Sequence, residues 1–180
     1  MKTHVVLDTS FLVATIDNSD ALHTDAAFLF KKLVARKDDL RILVPPLVIY
    51  ELIVTLRRKG VKAKTIEDIV IRFVNLAYVS VLSLSELSAL KHANSVLNSL
   101  DVTKALRTQD FLIVCVGEEF EASIITFDKK LWQRCKPIYS DVYYCSDKGK
   151  MTDEWLECLQ NIDGKAGKDI TTIQYLPLQT

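Results

Sequence analysis

Four acidic residues that could take part in chemistry stand in otherwise apolar stretches of the chain. They are Asp8 in VVLDTSFLVATI, Glu51 in PPLVIYELIVTL, Asp110 in TQDFLIVCV and Asp128 in SIITFDKKL. An ionised carboxylate in an apolar interior must be hydrogen-bonded, paired or bound to a cation, because leaving it isolated costs several kcal/mol. Glu51 is the clearest case, since no other charge lies between residues 45 and 56. We therefore expect any partner of Glu51 to come from another part of the chain.

Three of the acids also have a purely structural explanation. Asp8 and Asp128 each precede a predicted helix, where aspartate is a preferred N-cap residue. Asp110 falls in the first turn of its helix, where the dipole stabilises an anion by about 0.3–1 kcal/mol. It could also pair with Arg107, three residues earlier. The sequence leaves both the structural and the functional explanation open for these three residues.

The positions of two acids favour the functional explanation. Asp8 follows a predicted strand at His4–Leu7, and Asp128 follows another at Ala122–Thr126. Open α/β sheets bind their ligands at the carboxyl ends of the strands. If Glu51 and Asp110 point to the same edge, four carboxylates converge there.

Converging carboxylates need cations, because two unit charges at 4 Å repel by about 4 kcal/mol at an effective dielectric constant of 20. Oxygen ligands without histidine or thiolate suit magnesium or manganese rather than zinc or copper. Such metals activate water and stabilise the leaving oxygen in phosphoryl chemistry. The acids therefore indicate a phosphodiesterase or a nuclease.

The remaining pattern predicts the elements that would position these residues. Strands alternate with helices, which favours a parallel sheet covered on both faces. Further strands are predicted at Arg41–Val44 and Tyr78–Leu82. Helices are predicted after Asp8–Ser10, from Asp20 to about residue 37, from Pro45–Pro46 to near Gly60, from Ala63 to about Leu76, from Glu86 to about Leu97, from Thr108 to Phe120 and around Leu131.

Length and composition indicate one globular domain with an appendage. The chain has 180 residues, of which 49% are hydrophobic and 26% charged, and this excludes a disordered or fibrous protein. We assign residues 1–140 to the main domain and 141–180 to an extension with a short amphipathic helix. The 23 basic and 23 acidic residues balance, so no global field indicates a nucleic-acid or membrane partner. Without a signal peptide or a membrane-spanning run, and with no metal-type spacing of the four cysteines, we expect a cytoplasmic protein with free thiols.

The segments VVLDTSFLVATID, PPLVIYELIVTLRR and LRTQDFLIVCVGEEFEASIITFDKKL resemble, in this order, the PIN domain. This family comprises metal-dependent nucleases named after the PilT N-terminus, and the VapC proteins belong to it. The resemblance covers residues from Lys2 to about Leu131. It implies a three-layer α/β/α sandwich with a central parallel sheet, of the Rossmann-like kind, and endonucleolytic cleavage of RNA at one magnesium or manganese site.

The resemblance assigns roles to individual residues. Asp8, Glu51, Asp110 and Asp128 match the metal-binding and catalytic acids of the family. Ser10 and Thr126 are the supporting hydroxyl residues. His23 stands where many members carry a histidine, and we interpret it as structural. The implied reaction is attack by a metal-activated water, which leaves a 3′-hydroxyl and a 5′-phosphate.

Partners and substrate follow less directly. Arg57, Arg58, Lys59 and Lys129 could hold an RNA backbone, although such basic runs are more often solvated faces. Both a VapC-type toxin with an antitoxin partner and a stand-alone RNA-processing nuclease fit the resemblance, and a homodimer is expected. The alternative is an inactive PIN-like module that serves as a scaffold in a ribonucleoprotein assembly. A haloacid-dehalogenase-like phosphatase does not fit, because Ser10 stands where its second acid would be.

Overall fold

A five-stranded parallel sheet forms the centre of the protein. The computed structural model describes residues 3–82, 106–147, 150–154, 157, 158 and 160. The strands of the sheet lie in the order β3-β2-β1-β4-β5, and every neighbouring pair is parallel. Their bounds are β1 Thr3–Leu7, β2 Leu40–Val44, β3 Val79–Val81, β4 Ser123–Thr126 and β5 Val142–Tyr144. A short antiparallel pair follows, formed by β6 Ser146–Asp147 and β7 Lys150–Met151.

Helices connect the strands and cover the sheet. Within the described residues they are α1 Thr9–Ile16, α2 His23–Val34, α3 Pro46–Arg58, α4 Ala63–Val74, α5 Thr108–Phe120 and α6 Lys129–Cys135. Consecutive residues of a strand point to opposite faces, yet Val5, Val6 and Leu7 are all fully buried. Both faces of the central strand are therefore covered, as expected for a parallel sheet in an α/β fold.

The predicted α/β class with a central parallel sheet is confirmed. Helix α3 begins at Pro46. Proline suits the first position of a helix, because its ring fixes a helical backbone angle and it lacks the N–H that would be unpaired there. Strand β5 pairs with β4 although it lies beyond residue 140. The sheet thus includes residues that the sequence assigned to the extension. The helix predicted from Glu86 to Leu97 lies outside the described residues, and the amphipathic helix of the extension is described only in part.

Helix α5, which carries Asp110, lies very close to β4. A methyl group placed on Gly117 would come within 2.8 Å of the Ile124 side chain and 2.9 Å of the Tyr139 ring. The Tyr139 hydroxyl lies 3.0 Å from the carbonyl oxygens of both Gly117 and Ala122. The glycine therefore allows the close approach that fixes this helix against the sheet. No helix in the described part of the chain is long and apolar enough to cross a membrane.

Candidate active site

Asp8 lies at the carboxyl end of the central strand and is only 4% exposed. Its Oδ1 accepts a hydrogen bond from the backbone N–H of Ser10 at 2.9 Å, so it caps α1. Its Oδ2 accepts from the Ser10 hydroxyl at 2.5 Å and from the Thr126 hydroxyl. Burial nevertheless raises the pKa of Asp8 to about 6, against the lowering effect of these hydrogen bonds, and the nearby charge of Asp128 adds to the increase.

The two hydroxyl groups join the ends of β1 and β4. Each hydroxyl donates a hydrogen bond to Asp8, so its oxygen can accept one from a backbone N–H. The Ser10 oxygen accepts from the N–H of Phe127 at 3.0 Å, and the Thr126 oxygen accepts from the N–H of Asp128 at 2.8 Å. The hydroxyl residues thus fix the loop that carries Asp128 beside the end of the central strand.

Asp128 is the N-cap residue of α6. Its Oδ1 accepts from the backbone N–H groups of Lys130 at 2.7 Å and Leu131 at 3.1 Å. Within the described residues, its Oδ2 has no hydrogen-bond partner. Capping and a functional role are therefore compatible here, because capping uses only one of the two oxygens.

The partner of Glu51 comes from another helix, as expected. The side-chain amide of Gln109, in the first turn of α5, donates to Oε2 of Glu51 and lies 3.2 Å from the Thr9 hydroxyl. Gln109 thus links α3, α5 and the first residue of α1. In the described part of the protein, Oε1 of Glu51 has no such partner.

Asp110 pairs with an arginine, though not with the local Arg107. Arg134, near the end of α6, places Nε at 2.7 Å and Nη2 at 2.5 Å from Oδ2 of Asp110. The Asp110 side chain is 6% exposed and that of Arg134 is 21% exposed, so the pair is largely shielded from solvent. Both donors of the guanidinium use the same oxygen, and no described residue bonds to the other one.

A cavity of about 310 Å³ collects three of the four acids. Asp8, Glu51 and Asp128 line it, together with Ser10, whereas Asp110 does not. The cavity continues past Asp20 and Thr55. The structure therefore brings three predicted site residues to one opening, whereas the fourth does not line it and is held in the ion pair with Arg134.

The acids offer the ligand atoms that a hard cation prefers, but their side-chain positions do not form a complete metal site. Every donor they offer is a carboxylate oxygen, and the nearby side chains add hydroxyls, which is the ligand chemistry of magnesium and manganese. As the side chains lie, however, the described residues contain no group of three or more acids, histidines or cysteines close enough to hold a metal ion. Side-chain movements would be needed to complete such a site.

A sequence model of the PIN domain matches residues 5–136. The chain belongs to the PIN domain family. The match includes all four acids, and PIN domains generally use divalent metal ions, so the family supports a nuclease of the PIN type.

Two solved structures are similar to this chain. VapC20 of Mycobacterium tuberculosis, a toxin that cleaves the sarcin–ricin loop, has a TM-score of 0.55 and 14% identity, with 72% of this chain and 93% of that chain covered. PAE2754 of Pyrobaculum aerophilum has a TM-score of 0.46 and 24% identity, with 76% of this chain and 90% of that chain covered. No curated protein sequence matches the chain. At these identities the likeness to VapC20 shows the fold of this PIN domain and nothing further.

The predicted basic residues differ in their surroundings. The Lys59 ammonium lies 2.7 Å from Asp17 and 3.4 Å from Asp20, so acids of the protein already neutralise it. Nη1 of Arg57 donates to the carbonyl oxygen of Val61 at 3.2 Å. Lys129 lies 5.9 Å from the centre of the Tyr144 ring. Lys59 is therefore the least suited of the predicted residues to contact RNA.

Sequence reasoning missed Gln109 and Arg134, which hold two of the four acids of this PIN domain. Gln109 directly precedes Asp110, and its position in a first helical turn was visible in the sequence. Arg134 is 24 residues from its partner. No local spacing rule connects the two, because they meet only when α6 packs beside α5.

Proposed function

We propose that this PIN domain is a magnesium- or manganese-dependent endoribonuclease. The observation that supports the proposal best is the buried Asp8, whose charge is destabilised by burial and which shares one cavity with Asp128 and Glu51. A carboxylate in this situation is stabilised in its charged form by a cation. The family resemblance supports the reaction type, and a cation in the cavity would be accessible to a phosphodiester.

The metal would be held by Asp8, Glu51, Asp110 and Asp128. A divalent ion bound there would supply Lewis acidity and would lower the pKa of a water for attack on the phosphodiester. Ser10 and Thr126 keep Asp8 in a single orientation by donating to its Oδ2. Gln109 does the same for Glu51. These four acids are the catalytic residues of the proposal.

RNA binding would use the predicted basic residues that are exposed. Arg58 and Lys129 are exposed, and Arg57 lies on the same helical end as Arg58. Contacts of this kind are electrostatic and weaken as salt displaces them. A flat response of RNA affinity to salt would exclude these residues as the binding surface.

The test is cleavage of single-stranded and structured RNAs with manganese, magnesium or a chelator. The variants are Asp8→Asn and Asp110→Asn. The matched control is Asp38→Asn, which removes an exposed acid in the turn before β2. We expect cleavage by the parent and by the control only with metal, and none by the site variants. Full metal-dependent cleavage by a folded Asp110→Asn protein would contradict the proposed site, and cleavage that resists the chelator would contradict the metal.

Two biological settings follow from the same activity in a cytoplasmic protein. A VapC-type toxin would arrest growth when expressed alone, and a small antitoxin would relieve the arrest. A stand-alone RNA-processing nuclease would not arrest growth. Expression of the parent beside Asp8→Asn separates the two settings, and light scattering of the purified protein tests the homodimer.

A second candidate function is a PIN-like scaffold without catalysis. It is favoured by the ion pair between Asp110 and Arg134 and by the side-chain positions, which assemble no metal site within the described residues. A calorimetric titration with manganese decides between the two functions. Stoichiometric binding that Asp8→Asn abolishes supports the nuclease, and absence of binding supports the scaffold.

A further inference from the structure

In the ion pair between Asp110 and Arg134, the guanidinium contacts only one oxygen of the carboxylate. A guanidinium often binds a carboxylate through two parallel hydrogen bonds, one to each oxygen. Here Nε and Nη2 both lie against Oδ2, at 2.7 Å and 2.5 Å. In the described part of the chain, Oδ1 accepts no bond from any side chain. Arg134 therefore neutralises the charge of Asp110 while leaving one of its oxygens open.

The pair also puts a positive charge beside a residue that adjoins the candidate site. Asp110 directly follows Gln109 in α5, and the Gln109 amide bonds to Glu51, which lines the cavity. The two side chains are largely buried, and their interaction is weakly screened by solvent. Arg134 thus supplies a counter-ion that belongs to the protein itself.

The positive charge of Arg134 weakens the binding of a divalent cation in two ways. A guanidinium beside a metal ligand repels the incoming cation directly. It also relieves the repulsion among the acids before the cation arrives, so the metal-free state is less unfavourable than it would be otherwise. Both effects weaken metal binding. Gln109 is the neutral counterpart, because it orients Glu51 and adds no charge.

We propose that Arg134 is a built-in counter-ion of the metal centre, which stabilises the metal-free protein and lowers its affinity for divalent cations. The proposal rests on the proposed function, since it takes Asp110 to be a metal ligand. Arg134 occupies Oδ2 only, so a cation reaches Asp110 through Oδ1 and the arginine need not leave. The protein therefore stays folded without metal, and it binds metal at higher concentrations than it would without Arg134.

The test is a manganese titration by calorimetry, with melting curves in chelator and in manganese as a second readout. The variants are Arg134→Gln, which removes the charge, and Arg134→Lys, which keeps it. Arg134→Gln should bind manganese at least tenfold more tightly, melt earlier in chelator and show a larger metal-induced rise in melting temperature. Arg134→Lys should stay within about threefold of the parent, because lysine keeps a positive charge at this position.

Each other result overturns the proposal. Equal or weaker binding by Arg134→Gln, while the parent binds manganese, rejects the counter-ion role and leaves the proposed nuclease intact. Tight binding by Arg134→Lys as well shows that charge is not the cause. If Arg134→Gln is unfolded in chelator, manganese must restore its fold, and failure to do so also overturns the proposal. If neither the parent nor any variant binds manganese, both the counter-ion role and the metal-dependent function are rejected.

Discussion

Replacing Asp8 by asparagine should stabilise the metal-free protein at neutral pH. Burial raises the pKa of Asp8 from 3.8 to about 6, so the folded state holds this proton more tightly than the unfolded state does. For such a group the stabilising contribution is complete below pH 3.8 and is lost as the pH rises through about 6. The charged Asp8 therefore destabilises the fold at neutral pH, by about 3 kcal/mol.

The asparagine variant removes that penalty but also loses an acceptor. Asp8 uses both oxygens, one for the backbone N–H of Ser10 and one for the two hydroxyls. An amide has only one acceptor oxygen, and losing the capping bond costs about 1 kcal/mol. The net gain is about 2 kcal/mol, which in a protein of this size is a rise in melting temperature of roughly 4–8 °C.

The assay is thermal unfolding in chelator, followed by circular dichroism, between about pH 5 and pH 8. The difference between Asp8→Asn and the parent should grow as the pH rises, because only the parent acquires the buried charge. The control is Asp17→Asn. Hydrogen bonds from Lys59 and Ser19 lower the pKa of Asp17 to about 2, so its removal should destabilise the protein at neutral pH. A lower melting temperature for Asp8→Asn at neutral pH, with a pH dependence like the parent's, would refute the reasoning.

Three further predictions concern packing, orientation and RNA binding. Gly117→Ala should lower the melting temperature by roughly 2–12 °C, since overpacking costs about 1–3 kcal/mol, as calorimetry can measure. Gln109→Leu should weaken manganese binding by about tenfold to a hundredfold, the usual effect of losing an orienting partner, and an unchanged affinity would exclude that role. Arg58→Ala should reduce the slope of log affinity against log salt by about 0.7 on single-stranded RNA, whereas Lys59→Ala should leave it unchanged because its charge is already paired; anisotropy with an inactive variant measures both.

The sheet was predictable where the sequence marks both the strand and its end. Strands β1 and β4 are short apolar runs, and each is followed by a residue that caps the next helix, so the strand, its end and the acid were visible together. Strand β5 gave no such signal. It has three residues, Val142–Tyr144, and its place comes from pairing with β4 and not from a pattern of its own.

The residues of the candidate site were likewise predictable only in part. Positions fixed by the backbone, such as Asp8 and Asp128 at strand ends, follow from the sequence. Partners brought by tertiary packing do not. Glu51 was recognised as needing a partner, yet nothing near it along the chain identifies Gln109, which is 58 residues away. For Asp110 the local spacing allowed a pair with Arg107, and the ion pair instead reaches Arg134 on another helix.

The way the acids are held indicates why metal and stability should be linked. Three of them, Glu51, Asp110 and Asp128, each give one oxygen to the protein and keep the other without a partner in the described part of the chain. Asp8 gives both oxygens, yet burial still leaves its charge unfavourable. A protein that satisfied every oxygen would be more stable without metal and would bind metal poorly. Because these acids are half satisfied, a cation that binds only the folded state stabilises it by an amount that grows with the ratio of its concentration to its Kd. Metal should therefore raise the melting temperature most in the variants that remove a resident partner's charge and least in those that remove an acid.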